Sequence, residues 1–499
     1  MPVSQRPKKK RTEKGVTLTR KAADDIAAFL FELGTQFLGV KNLNSAHDCF
    51  SIVTVMKESS GNAFHNLGVV YTMAGRHDEA YKMFKRALEL SPGDIREVLA
   101  VTESARRSKR FEEACKLADG LVASHPDEFM VRLQKSTLEF DLGNIEEAEE
   151  WALRTLELNP EHGITRLNLT LIRMTRGLWA QEWENYEKYL TFNNANNRLR
   201  NMPHEKLWDG ISSIEGKTLL VVADQGHGDT FQFSRFIDAI VKAYGPSKVI
   251  FYCQPTTASL CETVPGVDEV VPFNKDNTVP DHDAVVGLLG IARILWINQF
   301  SCVMRAPYIK IPSTQNPQWD DVFPVRDDRM RVGLVWAGSP AHGNDHRRST
   351  TLGRLLPILF KSNVQYYSLQ VGDAAKQTEQ LKQLMFDPIT DLGDKLETFL
   401  DTAVAMKHLD LIISVDTAVA HLAGAMGLKC WLLTQKPAEW RWGDVDDTTP
   451  WYPTMRIFRQ IVPEGWEEVG IRVAKELEKE AQQYATIAKL RGGAETMCF

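Results

Sequence analysis

The sequence lacks the patterns that mark a disulfide-stapled or metal-binding protein. Its seven cysteines are scattered, odd in number and never spaced as C-x-x-C, whereas a disulfide framework or a zinc site needs paired or clustered thiols. Two D-x-D triplets, at residues 281–283 and 444–446, stand without further carboxylates or histidines at ligand spacing. We therefore expect reduced, mostly buried thiols and no metal site.

Long apolar runs and an excess of positive charge are missing as well. No segment approaches the roughly 18 apolar residues that cross a membrane, and the N-terminus has no signal-peptide core. A formal net charge of −6 at pH 7 gives no indication of a nucleic-acid-binding surface. The basic run at residues 6–14 is expected to belong to a disordered, solvated tail over residues 1–24. We predict a cytoplasmic protein without a membrane span.

A period of 34 residues runs through the first part of the chain. The residues that keep this step are Pro92, Pro126, Pro160, Ala46, Ala80, Ala114, Ala148, Gly75, Gly143 and Gly177. The best copy, residues 61–94, resembles a tetratricopeptide repeat. Its signature residues are Leu67, Gly68, Tyr71, Ala80, Phe84, Ala87 and Pro92.

This copy explains how each repeat should fold. Gly68 on the first helix is expected to let the second helix approach at Ala80, and Pro92 ends that second helix. Weaker copies give about five helical hairpins over residues 25–190. Such hairpins cannot bury their apolar faces alone, so we predict an α-solenoid whose concave surface receives a peptide or protein. The alternative is that the array serves only as a scaffold or as a homo-oligomer interface.

An α/β part follows an asparagine-rich linker at residues 191–214. Short β-branched or aromatic runs alternate there with helix-length segments, which favours parallel sheets built from βαβ units. The predicted strands lie at residues 218–223, 248–253, 269–273, 331–337, 364–369, 410–415 and 429–433. A proline- and aspartate-rich stretch at 313–328 indicates two Rossmann-like domains, at 215–325 and 326–490. Their ligands should bind outside the carboxyl ends of the strands.

The first candidate loop comes directly after the first predicted strand. Gln225, Gly226, His227 and Gly228 lead to Asp229, so an imidazole and a carboxylate stand where many α/β proteins only turn. The residues alone leave open a ligand-binding, a catalytic or a purely structural role. The G-x-G-D pattern is not the G-x-G-x-x-G of dinucleotide enzymes, so NAD is not expected.

Two further loops could bind phosphate. Asp416 and Thr417 join a strand to a helix, where backbone amides and the helix dipole favour an anion, and His421 lies one turn later on the same face. A simple N-cap with a satisfied histidine is the alternative.

The loop at 337–350 begins with Gly338 and Ser339 and contains Arg347 and Arg348. The planar guanidinium groups of arginine can bind a diphosphate through paired hydrogen bonds. Paired arginines on a loop can equally be exposed to solvent.

Together these loops resemble one family of proteins. The matching segments are ADQGHGDTFQFSRF, VGLVWAGSPAHGNDHRRS, DLIISVDTAVAHLAGAMG and EWRWGDVDDTTPWYPTMRIFRQ. They are similar to those of proteins that join tetratricopeptide repeats to a glycosyltransferase of the GT-B fold, related to the bacterial lipopolysaccharide heptosyltransferases of glycosyltransferase family nine. The resemblance covers nearly the whole chain beyond its tail, and protein O-GlcNAc transferases share the architecture more distantly. It implies a repeat α-solenoid followed by a GT-B fold of two Rossmann-like domains.

The resemblance also implies a reaction and its residues. The reaction is a metal-independent transfer of a sugar from a nucleotide-sugar to a hydroxyl acceptor, without a cofactor. The family's general base is the aspartate of the G-D loop, which corresponds to Asp229, with residues 225–228 on the acceptor side. The groups implied for the nucleotide-sugar are Asp416, Thr417, His421, Gly338, Ser339 and one of Arg347 and Arg348.

Three functions stay open at this point. The first is a protein glycosyltransferase whose repeats select the acceptor. The second is a repeat-based interaction protein with an inactive GT-B part, and the third is a glycosyltransferase acting on a glycolipid or polysaccharide. The sequence departs from the family at His227, where leucine or phenylalanine is usual, at Asp224, where glutamate is common, and at Ala418, where glycine is frequent.

Overall fold

A computed structural model gives the fold of two compact units, one ending at Leu138 and the other beginning at Glu139. It describes residues 19–192, 197–276, 278–303, 306–313, 319, 321–384, 389–443 and 446–495, with the side chains of 191–192, 384 and 489–495 left aside. Most of the predicted tail, residues 1–18, lies outside the described residues. The first helix begins at Arg20, within the segment expected to be tail.

Within the described residues 19–187, ten helices follow one another in five successive helix–turn–helix pairs. They are α1 (Arg20–Gly39), α2 (Leu43–Met56), α3 (Gly61–Met73), α4 (His77–Leu90), α5 (Ile95–Arg107), α6 (Phe111–Ser124), α7 (Phe129–Leu142), α8 (Ile145–Leu158), α9 (Gly163–Thr175) and α10 (Trp179–Glu187). In the first unit each helix from α1 to α6 packs on the next one along the chain. The predicted helical repeat is confirmed.

Backbone geometry keeps the 34-residue period even where the sequence loses it. The turn inside each hairpin has one residue with positive φ, and these residues are Lys41 (59°), Gly75 (72°), Lys109 (64°), Gly143 (85°) and Gly177 (83°). Glycine adopts this left-handed conformation without steric cost, whereas an L side chain costs roughly 1–2 kcal/mol there. The two lysines therefore occupy turns that the repeat geometry imposes on them.

The helices within a hairpin touch at glycine. A Cβ atom on Gly68 would lie only 2.7 Å from Cε1 of Phe84, and one on Gly34 would lie 3.0 Å from Cε1 of Phe50. The sequence placed Ala80 opposite Gly68, but the atoms nearest to that site belong to Phe84, one helical turn further along α4. Ala80 is itself fully buried.

The last repeat helix belongs to the unit that contains the sheets. Trp179 of α10 stacks on Trp451 with ring centroids 5.1 Å apart, and Trp183 meets Trp440 edge-on at 5.6 Å. The indole Nε1 of Trp183 donates a hydrogen bond of 2.6 Å to the carbonyl of Ile297. Trp179 and Trp183 are buried in this shared core, and the compact unit that contains the sheets begins at Glu139.

The α/β part contains two sheets whose paired strands are all parallel. The first sheet has the order β3-β2-β1-β4, with β1 (Thr218–Val222), β2 (Lys248–Cys253), β3 (Glu269–Pro272) and β4 (Ala284–Gly287). The second has the order β10-β9-β8-β5-β6-β7, with β5 (Met330–Val335), β6 (Val364–Ser368), β7 (Ile389–Asp391), β8 (Leu411–Val415), β9 (Cys430–Thr434) and β10 (Met455–Arg459). The expected helical repeats followed by parallel α/β structure are confirmed.

Helices follow most strands and cover the sheets. They are α11 (His227–Phe233), α12 (Ile237–Tyr244), α13 (Ala258–Cys261), α14 (Leu288–Ile294), α15 (Asp345–Arg348), α16 (Lys376–Leu384), α17 (Phe399–Lys407), α18 (Ala418–Ala425) and α19 (Trp466–Glu495). None of the helices in the described ranges is long and apolar enough to cross a membrane. The strand order reverses between β1 and β4 and between β5 and β8, which are the positions where open parallel sheets bind ligands.

Candidate active site

Two loops from different sheets meet at these reversal points. The loop after β1 leads into α11, and the loop after β8 leads into α18. A Cβ atom on Gly228 would lie 2.8 Å from Cδ2 of His421. Only a residue without a side chain permits this approach, so the starts of α11 and α18 lie side by side, and we call the space outside the carboxyl ends of β1 and β8 the crevice. The structure thereby brings together Asp229 of the first loop and Asp416 and His421 of the second.

Asp229 is held through both oxygens of its carboxylate. Oδ2 accepts a hydrogen bond of 3.2 Å from the backbone N–H of Gly226, and Oδ1 accepts one of 2.5 Å from Nη2 of Arg441. The carboxylate stands in the first turn of α11, where the helix dipole favours a negative charge. Its side chain is still 25% exposed. A partner molecule in the crevice can therefore reach it.

Arg441 joins Asp229 to a second carboxylate. Its guanidinium also pairs with Glu439 and donates 2.6 Å to Oε1 of the buried Gln232. Burial raises the pKa of Glu439 to about 7 against the opposing charge of Arg441, and the negative charges of Asp416 and Asp229 add to the rise. The sequence assigned no role to Glu439 or Arg441, although both lie in the distinctive segment EWRWG.

His421 is a neutral residue of the second loop. Its Nδ1 lies 2.9 Å from the hydroxyl of Tyr452, and its Nε2 lies 3.8 Å from Oδ1 of Asp416. Burial holds the pKa of His421 well below its ordinary value of 6.5, and the positive charges of Arg441 and Arg348 lower it further. The imidazole is thus uncharged at neutral pH, and Tyr452 fixes its ring orientation.

Thr417 precedes α18 without capping it. Its backbone is extended, and its hydroxyl lies 3.1 Å from that of Ser414 instead of accepting from the first turn of the helix. The simple reading of Thr417 as a side-chain N-cap therefore fails. The N-terminal turn of α18 faces the same crevice as His421, whose ring packs near Trp442 at 5.1 Å between centroids.

The two arginines of the loop after β5 have different positions. Nη1 of Arg348 donates a hydrogen bond of 3.0 Å to the carbonyl of Asp416, so Arg348 borders the second loop. Arg347 instead forms an ion pair of 2.8 Å with Asp141 of α7. A Cβ atom on Gly338 would lie 2.6 Å from Nη2 of Arg348. Of the two arginines, Arg348 is the one available to the crevice.

Hydrogen bonds within this loop hold its other residues in place. The N–H of Gly338 donates 2.8 Å to the hydroxyl of Ser349, and the carbonyl of Ser339 accepts 3.0 Å from the N–H of His342. Desolvation lowers the pKa of His342, and Arg348 contributes to the fall. No role was predicted for His342, although it lies in the glycine-containing loop of the sequence analysis.

His227, next to Asp229, packs away from the carboxylate. Its Nε2 lies 3.1 Å from the hydroxyl of Thr256, and its ring centroid lies 5.1 Å from that of Phe399. Burial lowers the pKa of His227. These contacts describe a neutral packing residue at the edge of the first loop.

Other residues singled out in the sequence hold backbone in place. Oδ1 of Asp224 accepts 3.0 Å from the N–H of Leu288 at the start of α14, and the carbonyl of Gln225 accepts 2.8 Å from Gln254. In the first D-x-D triplet, Asp283 accepts a hydrogen bond from the N–H that begins β1. In the second triplet, residues 444 and 445 lie outside the described residues.

One family of known proteins matches part of the repeat region. Residues 61–94 match the tetratricopeptide repeat family. Protein FlbA of Caulobacter vibrioides is 25% identical over 448 residues, which cover 83% of this chain and 72% of FlbA. The identification of a tetratricopeptide repeat in this segment is confirmed.

Solved structures are similar to parts of the chain. A glycosyl transferase of family 9 from Veillonella parvula DSM 2008 covers 56% of this chain and 99% of its own, at 12% identity and a TM-score of 0.41. The MamA protein covers 34% of this chain and 91% of its own, at 13% identity and a TM-score of 0.29. At these scores the likeness carries no argument, and the fold rests on the helices and sheets described above.

Proposed function

We propose that this chain is a glycosyltransferase that moves a sugar from a nucleotide-sugar to a hydroxyl acceptor. The observation that carries the proposal is the contact between Gly228 and His421, because it puts Asp229 and the Asp416 loop in one crevice. Two parallel α/β sheets with ligand-binding loops at their reversal points are what a GT-B fold requires. The resemblance of all four loop segments to family nine glycosyltransferases supports the same reaction.

In the proposed reaction each side of the crevice has its own role. Asp229 accepts the proton of the acceptor hydroxyl while that oxygen attacks the anomeric carbon. The bond between the anomeric carbon and the diphosphate breaks, and the negative charge leaves with the nucleoside diphosphate. Arg348 and the N-terminal turn of α18 face this charge and stabilise it, so the proposed reaction uses no metal.

The substitution Asp229→Asn tests the base. Asparagine keeps the shape of the side chain but cannot take the proton, so transfer should fall on the order of 10²-fold or more. Binding of a nucleoside diphosphate, measured by calorimetry, should stay unchanged. Asp238→Asn is a matched control, because it makes the same loss of charge at a residue of α12 that pairs with the exposed Lys242. Undiminished turnover in D229N would contradict the assignment.

We further propose that the acceptor is a protein selected by the repeats. Deleting residues 1–190 would remove Trp179 and Trp183 from the core, so a deletion of residues 1–128 is the better test. Transfer to a protein acceptor should vanish while transfer to a small hydroxyl acceptor survives. Survival of both would contradict selection of the acceptor by the repeats. If calorimetry against a panel of nucleoside diphosphates finds no binding, the chain is an interaction protein and not an enzyme.

A further inference from the structure

Arg441 is a buried cation that donates hydrogen bonds to two residues of α11. Nη2 donates 2.5 Å to Oδ1 of Asp229, and Nε donates 2.6 Å to Oε1 of Gln232. These two residues are three apart on a helix and therefore share one face. Glu439 pairs with the remaining Nη1, and the guanidinium carbon lies 4.2 Å from the ring centroid of Trp440. The side chain of Arg441 is only 8% exposed.

Arg441 and Asp229 come from different sheets. Asp229 follows β1 of the first sheet, while Arg441 lies between β9 and β10 of the second. Tyr186 of α10 interacts with the guanidinium from a third direction and is itself buried. The orientation of the Asp229 carboxylate is therefore determined by a side chain that the opposite sheet supplies and the last repeat helix supports.

This arrangement leaves Asp229 fixed but still able to react. Arg441 occupies one oxygen and the N–H of Gly226 the other. Each carboxylate oxygen has two lone pairs, so acceptor capacity remains on the exposed side. One guanidinium faces two carboxylates, Asp229 and Glu439, which limits the positive charge that Asp229 experiences.

We propose that Arg441 is a positioning residue for the transfer reaction: it aims the Asp229 carboxylate at the acceptor hydroxyl. The proposal rests on the function proposed above and adds a residue to it. Arg441 touches the base and not the reacting sugar, so its loss should affect turnover far more than donor binding.

The substitutions Arg441→Lys and Arg441→Gln separate position from charge. R441Q should lower kcat on the order of 10²-fold, the usual effect of misplacing a catalytic group by about 1 Å. R441K keeps the charge but loses the planar fork, so kcat should fall about tenfold. The KM for the nucleotide-sugar should change less than about threefold in either variant.

Arg456→Gln is the matched control, because Arg456 of β10 pairs with Asp447 and Glu476 and is 43% exposed. Thermal unfolding and nucleotide calorimetry establish that each variant is folded. If R441Q does not fold, R441K decides alone, and wild-type turnover in R441K overturns the proposal. An R441Q that folds and keeps its kcat overturns it too. Active D229N instead overturns the function proposed above, so the two failures are distinguishable.

Discussion

Gly228→Ala tests directly whether the two loops touch. The added Cβ would lie 2.8 Å from Cδ2 and 3.4 Å from Nε2 of His421. The imidazole is not free to move away, because its Nδ1 lies 2.9 Å from the hydroxyl of Tyr452 and its ring packs near Trp442. Overpacking of this kind costs about 1–3 kcal/mol. Replacing a helical glycine by alanine returns up to ~1 kcal/mol, so the net loss in unfolding free energy should be about 2 kcal/mol or less.

The effect on function should be larger than the effect on stability. Pushing His421 moves the Asp416 loop, so nucleotide affinity and turnover should each fall at least about tenfold, as a displacement near 1 Å produces. Gly226→Ala in the same loop is the control, since its Cβ would meet Oδ2 of Asp229 at an ordinary 3.5 Å. Urea unfolding, nucleotide calorimetry and a transfer assay measure the three quantities. If G228A binds nucleotide and turns over as G226A does, the loops do not meet as described and the argument for one crevice fails.

Two further predictions concern charge and packing. Burial raises the pKa of Glu439 to about 7 from an ordinary 4.5, so this group stabilises the fold below pH 4.5 and loses that contribution as pH rises to about 7. Glu439→Gln removes the titration, and urea unfolding should show the variant more stable relative to the wild type at pH 8 than at pH 5; an equal difference at both pH values would contradict the shift. Gly68→Ala should destabilise the repeats by about 1–3 kcal/mol through its 2.7 Å clash with Phe84. Gly120→Ala, on a helix with no atom within 4 Å of the new Cβ, should stabilise by ~0.5–1 kcal/mol, and identical shifts for both would refute the packing argument.

The sequence predicted the strands that form short runs of β-branched or aromatic residues. All seven predicted strands exist, because runs such as those of β1, β2 and β8 are continuous and apolar. It missed β4, β7 and β10. Two of these have only four and three residues, and β10 at the edge of its sheet interrupts its apolar residues with arginines. Short or edge strands owe their conformation to their neighbours in the sheet, which periodicity does not reveal.

The residues of the candidate site also fall into a group that the sequence predicted and a group that it missed. Asp229, Asp416 and His421 follow strands directly, so the carboxyl ends of the sheets fix their location and the sequence could find them. Arg441 lies in an irregular segment between two strands. Its partner depends on how that segment folds back over α11, which no local pattern encodes. The lysine turns at Lys41 and Lys109 were missed for a related reason, because the repeat imposes a conformation that lysine itself disfavours.

The aromatic residues of α10 and of the EWRWG segment pack against each other. Trp440 meets Trp179, Trp183 and Tyr186 of α10, with ring centroids 5.4, 5.6 and 5.9 Å apart. Exposing so much aromatic surface to water would be unfavourable, so each segment buries the aromatic side chains of the other. Because Arg441 follows Trp440 directly, the packing that attaches the last repeat helix also sets the guanidinium against Asp229. The final repeat is thus a structural component of the crevice, and substitutions in α10 should act on transfer through Arg441 as well as on stability.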